Sequence, residues 1–389
     1  MRLALLTVCL ASSVVSCVPS RDLAARESPP GKPAASSRTP TSSAATDGAS
    51  ISPSPVVSRR RRLSGASLAR YAKVDNAFDG DKNTAWAAGT PTAEHPAWLA
   101  VDVGRGPVRL LLSWSSSGSF NYDETDYGSP GAYRIETSAD STDGENGSWT
   151  PVVDVPSVRT HGAAHAFPFA GRRWVRLVVT AAPAKSPNGV QIDEIAIHDA
   201  SSGAQDTWFF MGDSITAFAF GRSVPRGLGF ADQVHERHRS FEPVVVNGGI
   251  GSEKTDEGIG HLDAWLATNP DVHFWGIGYG TNDAAGDGAD ATRFGANLRT
   301  LVGRLKAAGR VPILASIPYA TDGQHPSIPR FNEVIETVRL ETSLPPGPDL
   351  YAWFSQHPDE LRDGLHPNEK GIASINRLWA AAVDGLYGR

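Results

Sequence analysis

Cysteine is nearly absent: the 389 residues hold two, Cys9 and Cys17, both at the very start of the chain. Once a leader ending there is removed, no disulfide can form within the remainder. Basic charge is also in short supply. Thirty-six Lys and Arg stand against 42 Asp and Glu, a net charge of −6, which gives no footing for nucleic-acid binding. No internal apolar run reaches the length of a membrane-spanning helix. No His-Glu-x-x-His or paired-Cys spacing occurs, so no metal or other cofactor is expected in catalysis. What is present is 40% hydrophobic residues, enough for substantial cores, in a chain long enough for two domains and extras.

Residues 1–17 read as a targeting segment. Arg2 precedes an apolar stretch over 3–15 that is too short and interrupted to span as a stable anchor. Val14-Val15-Ser16-Cys17 resembles a bacterial lipobox, in which the cysteine becomes the lipidated first residue. The expectation is an exported protein, lipid-anchored to the cell envelope through Cys17 and touching membrane only by that anchor. The alternative is an ordinary secretory signal cut nearby. Residues 18–62 are rich in Pro, Ser, Ala and Thr without hydrophobic period, and read as a disordered tether. The basic cluster at 59–62 would be solvated, or would touch anionic headgroups or acidic glycans.

Residues 63–200 predict an all-β domain. Short apolar runs at 98–103, 108–114, 133–137, 149–153 and 174–179 are separated by Gly, Pro, Asp and Ser, as in a β-sandwich. The stretch 76–86, with Asn76, Asp79, Asp81 and Thr84, and the runs around Trp98, Tyr133, Trp174 and Glu194 resemble discoidin-like (galactose-binding-like) sandwiches. That resemblance implies a structural calcium held by Asn76, Asp79, Asp81, Thr84, Glu194 and the carbonyl of Asp193. The oxygen donors suit a hard cation, although an ion-free Asp-Gly turn uses the same residues. It also implies glycan binding through end loops, with Phe120, Tyr122 and Tyr127 as stacking residues of a long polar loop, or packed on their own domain.

Residues 204–389 alternate between strand and helix patterns. Strands are predicted at 207–211, 243–247, 272–279, 311–317 and 349–354. Phe294, Leu298, Leu301, Val302 and Leu305 form one helical stripe ended by Gly309. A last helix starting near Pro367 would bury Ile372, Ile375, Leu378 and Trp379. The prediction is a three-layer α/β/α domain on a parallel sheet. Four polar segments fall where such a sheet gathers its functional edge: Gly212-Asp213-Ser214-Ile215, Asn247-Gly248-Gly249-Ile250-Gly251-Ser252, Gly280-Thr281-Asn282-Asp283 and Asp363-Gly364-Leu365-His366-Pro367.

A serine hydroxyl needs a base to become a nucleophile. His366 is the candidate base, and Asp363, three residues earlier, the group that would orient it. Each segment also has a plain structural use: His366 and Asp363 at the start of the last helix, Asn282-Asp283 as a turn. The four in this order resemble the blocks of the SGNH (GDSL) hydrolase family, whose domain is flavodoxin-like. The resemblance implies Ser214 as nucleophile, His366 as base and Asp363 as orienting acid. It implies an oxyanion hole of the Ser214 N–H, a second-block N–H and the Asn282 amide. The family usually has glycine where Ser252 stands, so Ser252 is the first choice for that N–H and Gly251 the second. Asp213 is expected to hold the turn around Ser214. His261, His273, His325 and His357 show no comparable partner spacing and read as surface or packing residues. Phe218, Phe220, Tyr319 and Trp353 would line the crevice floor or the core.

The expected function is a secreted serine esterase removing O-acyl groups, O-acetyl first, from a carbohydrate held by the accessory sandwich. The alternatives are a lipase, lysophospholipase or thioesterase, or a non-catalytic glycan-binding surface lipoprotein.

Overall fold

The structure, a computed structural model, describes residues 51–116, 128–158, 160–183 and 189–388. Cys17, the tether up to residue 50, and Phe120, Tyr122 and Tyr127 lie outside the described residues.

The first domain is built from β1 (Leu63–Ala66), β2 (Trp86–Gly89), β3 (Ala97–Asp102), β4 (Arg109–Ser115), β5 (Ala132–Ser138), β6 (Thr150–Val155), β7 (Gly162–Pro168), β8 (Trp174–Ala181), β9 (Val190–Ile192) and β10 (Glu194–Asp199). A five-stranded sheet, β1-β3-β8-β5-β6, faces a three-stranded one, β10-β4-β7, while β2 pairs with β9. The pairings are antiparallel. Side chains alternate across a strand. Leu99, Val101, Ile135 and Leu177 from the large sheet thus meet Leu110, Leu112, Trp114 and Ile197 from the small one in a common core.

The second domain comprises β11 (Thr207–Gly212), α1 (Ser214–Phe220), α2 (Phe230–Arg237), β12 (Val244–Gly249), α3 (Thr255–Thr268), β13 (Phe274–Gly278), α4 (Ala291–Ala307), β14 (Val311–Leu314), α5 (Ile328–Glu341), α6 (Leu350–Gln356) and α7 (Glu369–Ala382). Its parallel sheet has the order β12-β11-β13-β14. Alternation along β11 divides the core. Phe209 and Met211 pack with residues of α3, α4 and α5. Trp208 and Phe210 pack with residues of α1, α2, α6 and α7 on the other face. The sheet therefore lies between two helical layers. The first strand sits between the second and third, so chain connections diverge at its carboxyl end and open a crevice there.

Two expectations are corrected. Residues 349–354 are not a fifth strand but part of α6. Asp349 caps it by accepting the Ala352 N–H at 2.9 Å, and Leu350 and Phe354, four apart, are the buried pair. A five-residue apolar run fits either period, and the cap decides for helix. Residues 51–62, assigned to the tether, are seated. The Val57 N–H donates to Ile197 O at 2.7 Å, and the Ser58 hydroxyl accepts the Ile197 N–H at 3.1 Å. Ile51 enters the core beside Trp208. This segment supplies partners along β10, an edge that would otherwise lack them.

The domains are packed on each other. Leu111 and Ala164, on the outer face of the small sheet, share a core with Val244 and Val246 of β12. The Ala164 and Ala166 N–H groups donate to Asn269 Oδ1 and Asp271 Oδ2 at 3.2 and 3.0 Å. Arg222 meets the buried Asp193 carboxylate at 2.6 Å, and Lys82 Nζ donates to Phe220 O at the end of α1.

Candidate active site

Ser214 opens α1 directly after β11 because Asp213 is a good N-cap: its Oδ1 accepts the Ile215 N–H at 2.9 Å. Burial raises the Asp213 carboxyl to about 7. This side chain is fully buried and serves the turn. Gly249 lets β12 lie against α1; a Cβ there would stand 2.2 Å from Ala217 N.

Asp363 and His366 share one tight turn, closed by a bridge between Leu361 and Pro367. The N–H groups of His366 and Leu365 donate to Asp363 Oδ1 at 2.7 and 3.1 Å. Asp363 Oδ2 lies 2.8 Å from His366 Nδ1. Burial pushes the Asp363 carboxyl up, but these hydrogen bonds outweigh it and hold it down at about 2. An ionised carboxylate there places the proton on Nδ1. Nε2 then faces Ser214 Oγ as an acceptor, at 3.0 Å. The structure thus brings Ser214, His366 and Asp363 into one hydrogen-bonded line.

The second and third blocks come alongside. The Ile250 N–H donates to Gly212 O at 2.9 Å, tying the 250–252 loop to the end of β11. Ser252 takes φ +65° and Gly251 does not take a positive φ. The left-handed residue is therefore Ser252, where glycine is the less strained choice. Asn282 Nδ2 donates to Glu253 O at 2.9 Å, and a primary amide keeps a second N–H for another acceptor. Asp283 binds Thr255 through its hydroxyl at 2.6 Å and through its N–H, which fastens the Asn282 turn to α3.

The structure also places two of the crevice-floor candidates and two of the remaining histidines. Phe218, one turn beyond Ser214 on α1, sets its ring edge-on to His366 at 5.7 Å, and Arg362 stacks on the same ring at 4.1 Å. Phe220 is core, stacked on Phe210. Two histidines assigned to surface or packing do have acidic partners: His325 Nδ1 lies 2.8 Å from Asp322 Oδ2, and His261 Nε2 lies 2.9 Å from Glu253 Oε1. The Asp322–His325 spacing equals that of Asp363 and His366.

The implied calcium ligands gather in part. The Thr84 hydroxyl bridges Asn76 O and Asp79 Oδ2 at 3.0 and 2.8 Å. Glu194 Oε2 accepts the Gly80 N–H at 2.9 Å. The Asp81 carboxylate turns to Asn83 and that of Asp193 to Arg222. Among the described residues no group of three or more His, Cys, Asp or Glu is placed to hold a metal.

A Ser–His–Asp line at the carboxyl edge of a parallel sheet, between two helical layers, has the parts of a serine hydrolase. Residues 210–373 match the model of the GDSL-like Lipase/Acylhydrolase family. Among solved structures the chain is similar to a lipase/acylhydrolase from Enterococcus faecalis (27% identity, TM-score 0.40, covering 46% of this chain and 95% of that one). It is also similar to an acetylxylan esterase from Geobacillus stearothermophilus (21% identity, TM-score 0.38, covering 47% and 94%). A third similarity is to a chitosan-binding module of a chitosanase/glucanase from Paenibacillus sp. IK-5 (20% identity, TM-score 0.29, covering 37% and 97%). No curated protein matches the chain.

Proposed function

We propose that the protein is an exported serine esterase that removes O-acyl groups, acetyl foremost, from a carbohydrate. The observation that carries the catalytic reading is the line Ser214 Oγ–His366 Nε2–Asp363, with contacts of 3.0 and 2.8 Å. In this reading His366 Nε2 takes the Ser214 proton as Oγ attacks the ester carbonyl, and then returns it to the leaving alcohol. Water repeats the sequence on the acyl-enzyme and frees the acid. Asp363 holds the tautomer and stabilises the imidazolium. The Ser214 N–H, the Ser252 N–H and the spare N–H of Asn282 receive the oxyanion; each such donor is worth about 3–4 kcal/mol of barrier.

The carbohydrate is supported by the resemblance of the first domain to galactose-binding-like sandwiches, and by its packing against the hydrolase domain. A fixed accessory domain holds enzyme on polymer and raises local substrate concentration. Export and lipid attachment at Cys17 belong to the same reading. So does a structural calcium at Asn76, Asp79, Asp81, Thr84, Glu194 and the Asp193 carbonyl, which takes no part in the chemistry.

The test is turnover of p-nitrophenyl acetate, p-nitrophenyl decanoate and acetylated polysaccharides by the chain without its leader. Acetyl release from polysaccharide, faster than decanoate cleavage and lost in Ser214→Ala, is the expected result. A decanoate preference moves the assignment to a lipase. No turnover of any ester, or equal turnover by the alanine variant, removes the esterase reading.

A further inference from the structure

Asp322-Gly323-Gln324-His325-Pro326 repeats the order of Asp363-Gly364-Leu365-His366-Pro367: Asp, Gly, one residue, His, Pro. The two stretches also fold alike. The glycines take φ +75° and +82°. Each Asp carboxylate accepts the N–H two residues on, from Gln324 at 3.0 Å and from Leu365 at 3.1 Å. Each imidazole Nδ1 lies 2.8 Å from its carboxylate. Burial separates them. The His325 and Asp322 side chains are 6% and 13% exposed, against 26% and 49% for His366 and Asp363. One Asp–His pair is shielded while the backbone around it stays at the surface, and the other opens to Ser214.

The 321–325 copy touches both halves of the site. The Thr321 N–H donates to Gly364 O at 2.7 Å, inside the turn that carries His366. On its other side, Gln324 O accepts the Gly286 N–H at 3.1 Å, on the loop that carries Asn282. The contact with Gly364 is tight: a Cβ there would stand 2.8 Å from Thr321 Oγ1 and 3.1 Å from Asp322 N. The 321–325 turn therefore spans from the base to the loop bearing an oxyanion donor. Its own shape is held by Asp322, which binds Gln324 N–H and the His325 ring at once.

We propose that Asp322 and His325 are positioning residues: their hydrogen bond stiffens a strut that sets the His366 turn against the Asn282 loop. The proposal rests on the serine-esterase reading. Its physical basis is that reaction rates fall steeply with misalignment, about hundredfold for a displacement near 1 Å. The 363–366 turn, whose Asp363 side chain is 49% exposed, gains from a second point of attachment that holds that alignment.

The experiment is steady-state kinetics on p-nitrophenyl acetate with the leaderless chain and two variants, with Tm measured for each. His325→Phe keeps a ring and loses the donor. His325→Asn keeps an N–H that can reach Asp322. The expected result is a roughly tenfold lower kcat for the Phe variant with KM within about twofold, and recovery of most of kcat in the Asn variant. Asp322→Ala gives at least that deficit, since it also removes the acceptor of the Gln324 N–H, and adding His325→Phe to it lowers kcat no further, because the ring bond is already gone. Wild-type kcat in the Phe variant, or a kcat loss that follows Tm and is not restored by Asn, overturns the proposal. Should Phe fail to fold, Asp322→Ala against His325→Asn carries the same comparison. Absence of turnover in the wild type is a different result, which removes the esterase reading itself.

Discussion

Replacing Asp363 by Asn tests the division of labour in the site with almost no change of shape. Asp363 supplies two acceptor oxygens: Oδ1 takes the N–H groups of His366 and Leu365, and Oδ2 takes the ring Nδ1–H. Asparagine offers one oxygen. The two backbone donors, at 2.7 and 3.1 Å, claim it and keep the turn closed. The amide NH₂ then faces Nδ1 and forces the imidazole to carry its proton on Nε2. That proton points at Ser214 Oγ, 3.0 Å away, so the ring is a donor where a base is needed. The wrong tautomer costs about 10⁴ in kcat where such a line has been broken in this way, or about 5 kcal/mol of barrier. The expected outcome is therefore a loss of about 10³–10⁴ in kcat, a KM little changed, and a Tm close to wild type. Steady-state turnover of p-nitrophenyl acetate measures it. A loss of less than tenfold in a folded variant would refute the role given to Asp363.

Three further outcomes are expected. Ser252 takes φ +65°, and left-handed backbone costs a non-glycine residue about 1–2 kcal/mol, so Ser252→Gly should stabilise by up to about 1 kcal/mol after glycine's greater unfolded-state freedom is deducted. Urea unfolding measures this, and destabilisation beyond about 1 kcal/mol would contradict it. Burial raises the Asp206 carboxyl from 3.8 to about 7, although Trp208 and Tyr387 both donate to it. A raised folded-state value means that its stabilising contribution is full below pH 3.8 and is lost as pH rises through 7. Asp206→Asn should flatten the fall in stability between those limits, and an unchanged pH–stability curve would count against the assignment. Leu298, fully buried on α4, should lose about 2–5 kcal/mol on truncation to Ala without change in KM.

The legible parts of this molecule were those whose signal is local. Asp213, Ser214, Asp363 and His366 each sit within a few residues of the strand end or helix start that presents them. The stripe from Phe294 to Leu305 repeats at a single period, and α4 buries those residues. What escaped needed context beyond the composition of the run itself. Segment 51–62 has a tether's composition and is ordered by the free edge of β10. The run at 350–354 fits strand and helix alike, and Asp349 settles it. The Asp322–His325 pair shows only when the spacing of Asp363 and His366 is sought elsewhere in the chain. Ser252 marks an opposite case: a departure from the family's glycine at a position whose left-handed backbone is kept.

A nucleophile activated by an adjacent imidazole reacts with a phosphonylating agent as an ordinary serine does not. The most direct measurement is therefore treatment of the leaderless chain with a fluorophosphonate, followed by peptide mass spectrometry. One adduct per chain, on the peptide containing Ser214, fast in wild type and lost or strongly slowed in His366→Ala, is the predicted result. An unlabelled Ser214 in folded protein, or labelling at the same rate without His366, would contradict the account.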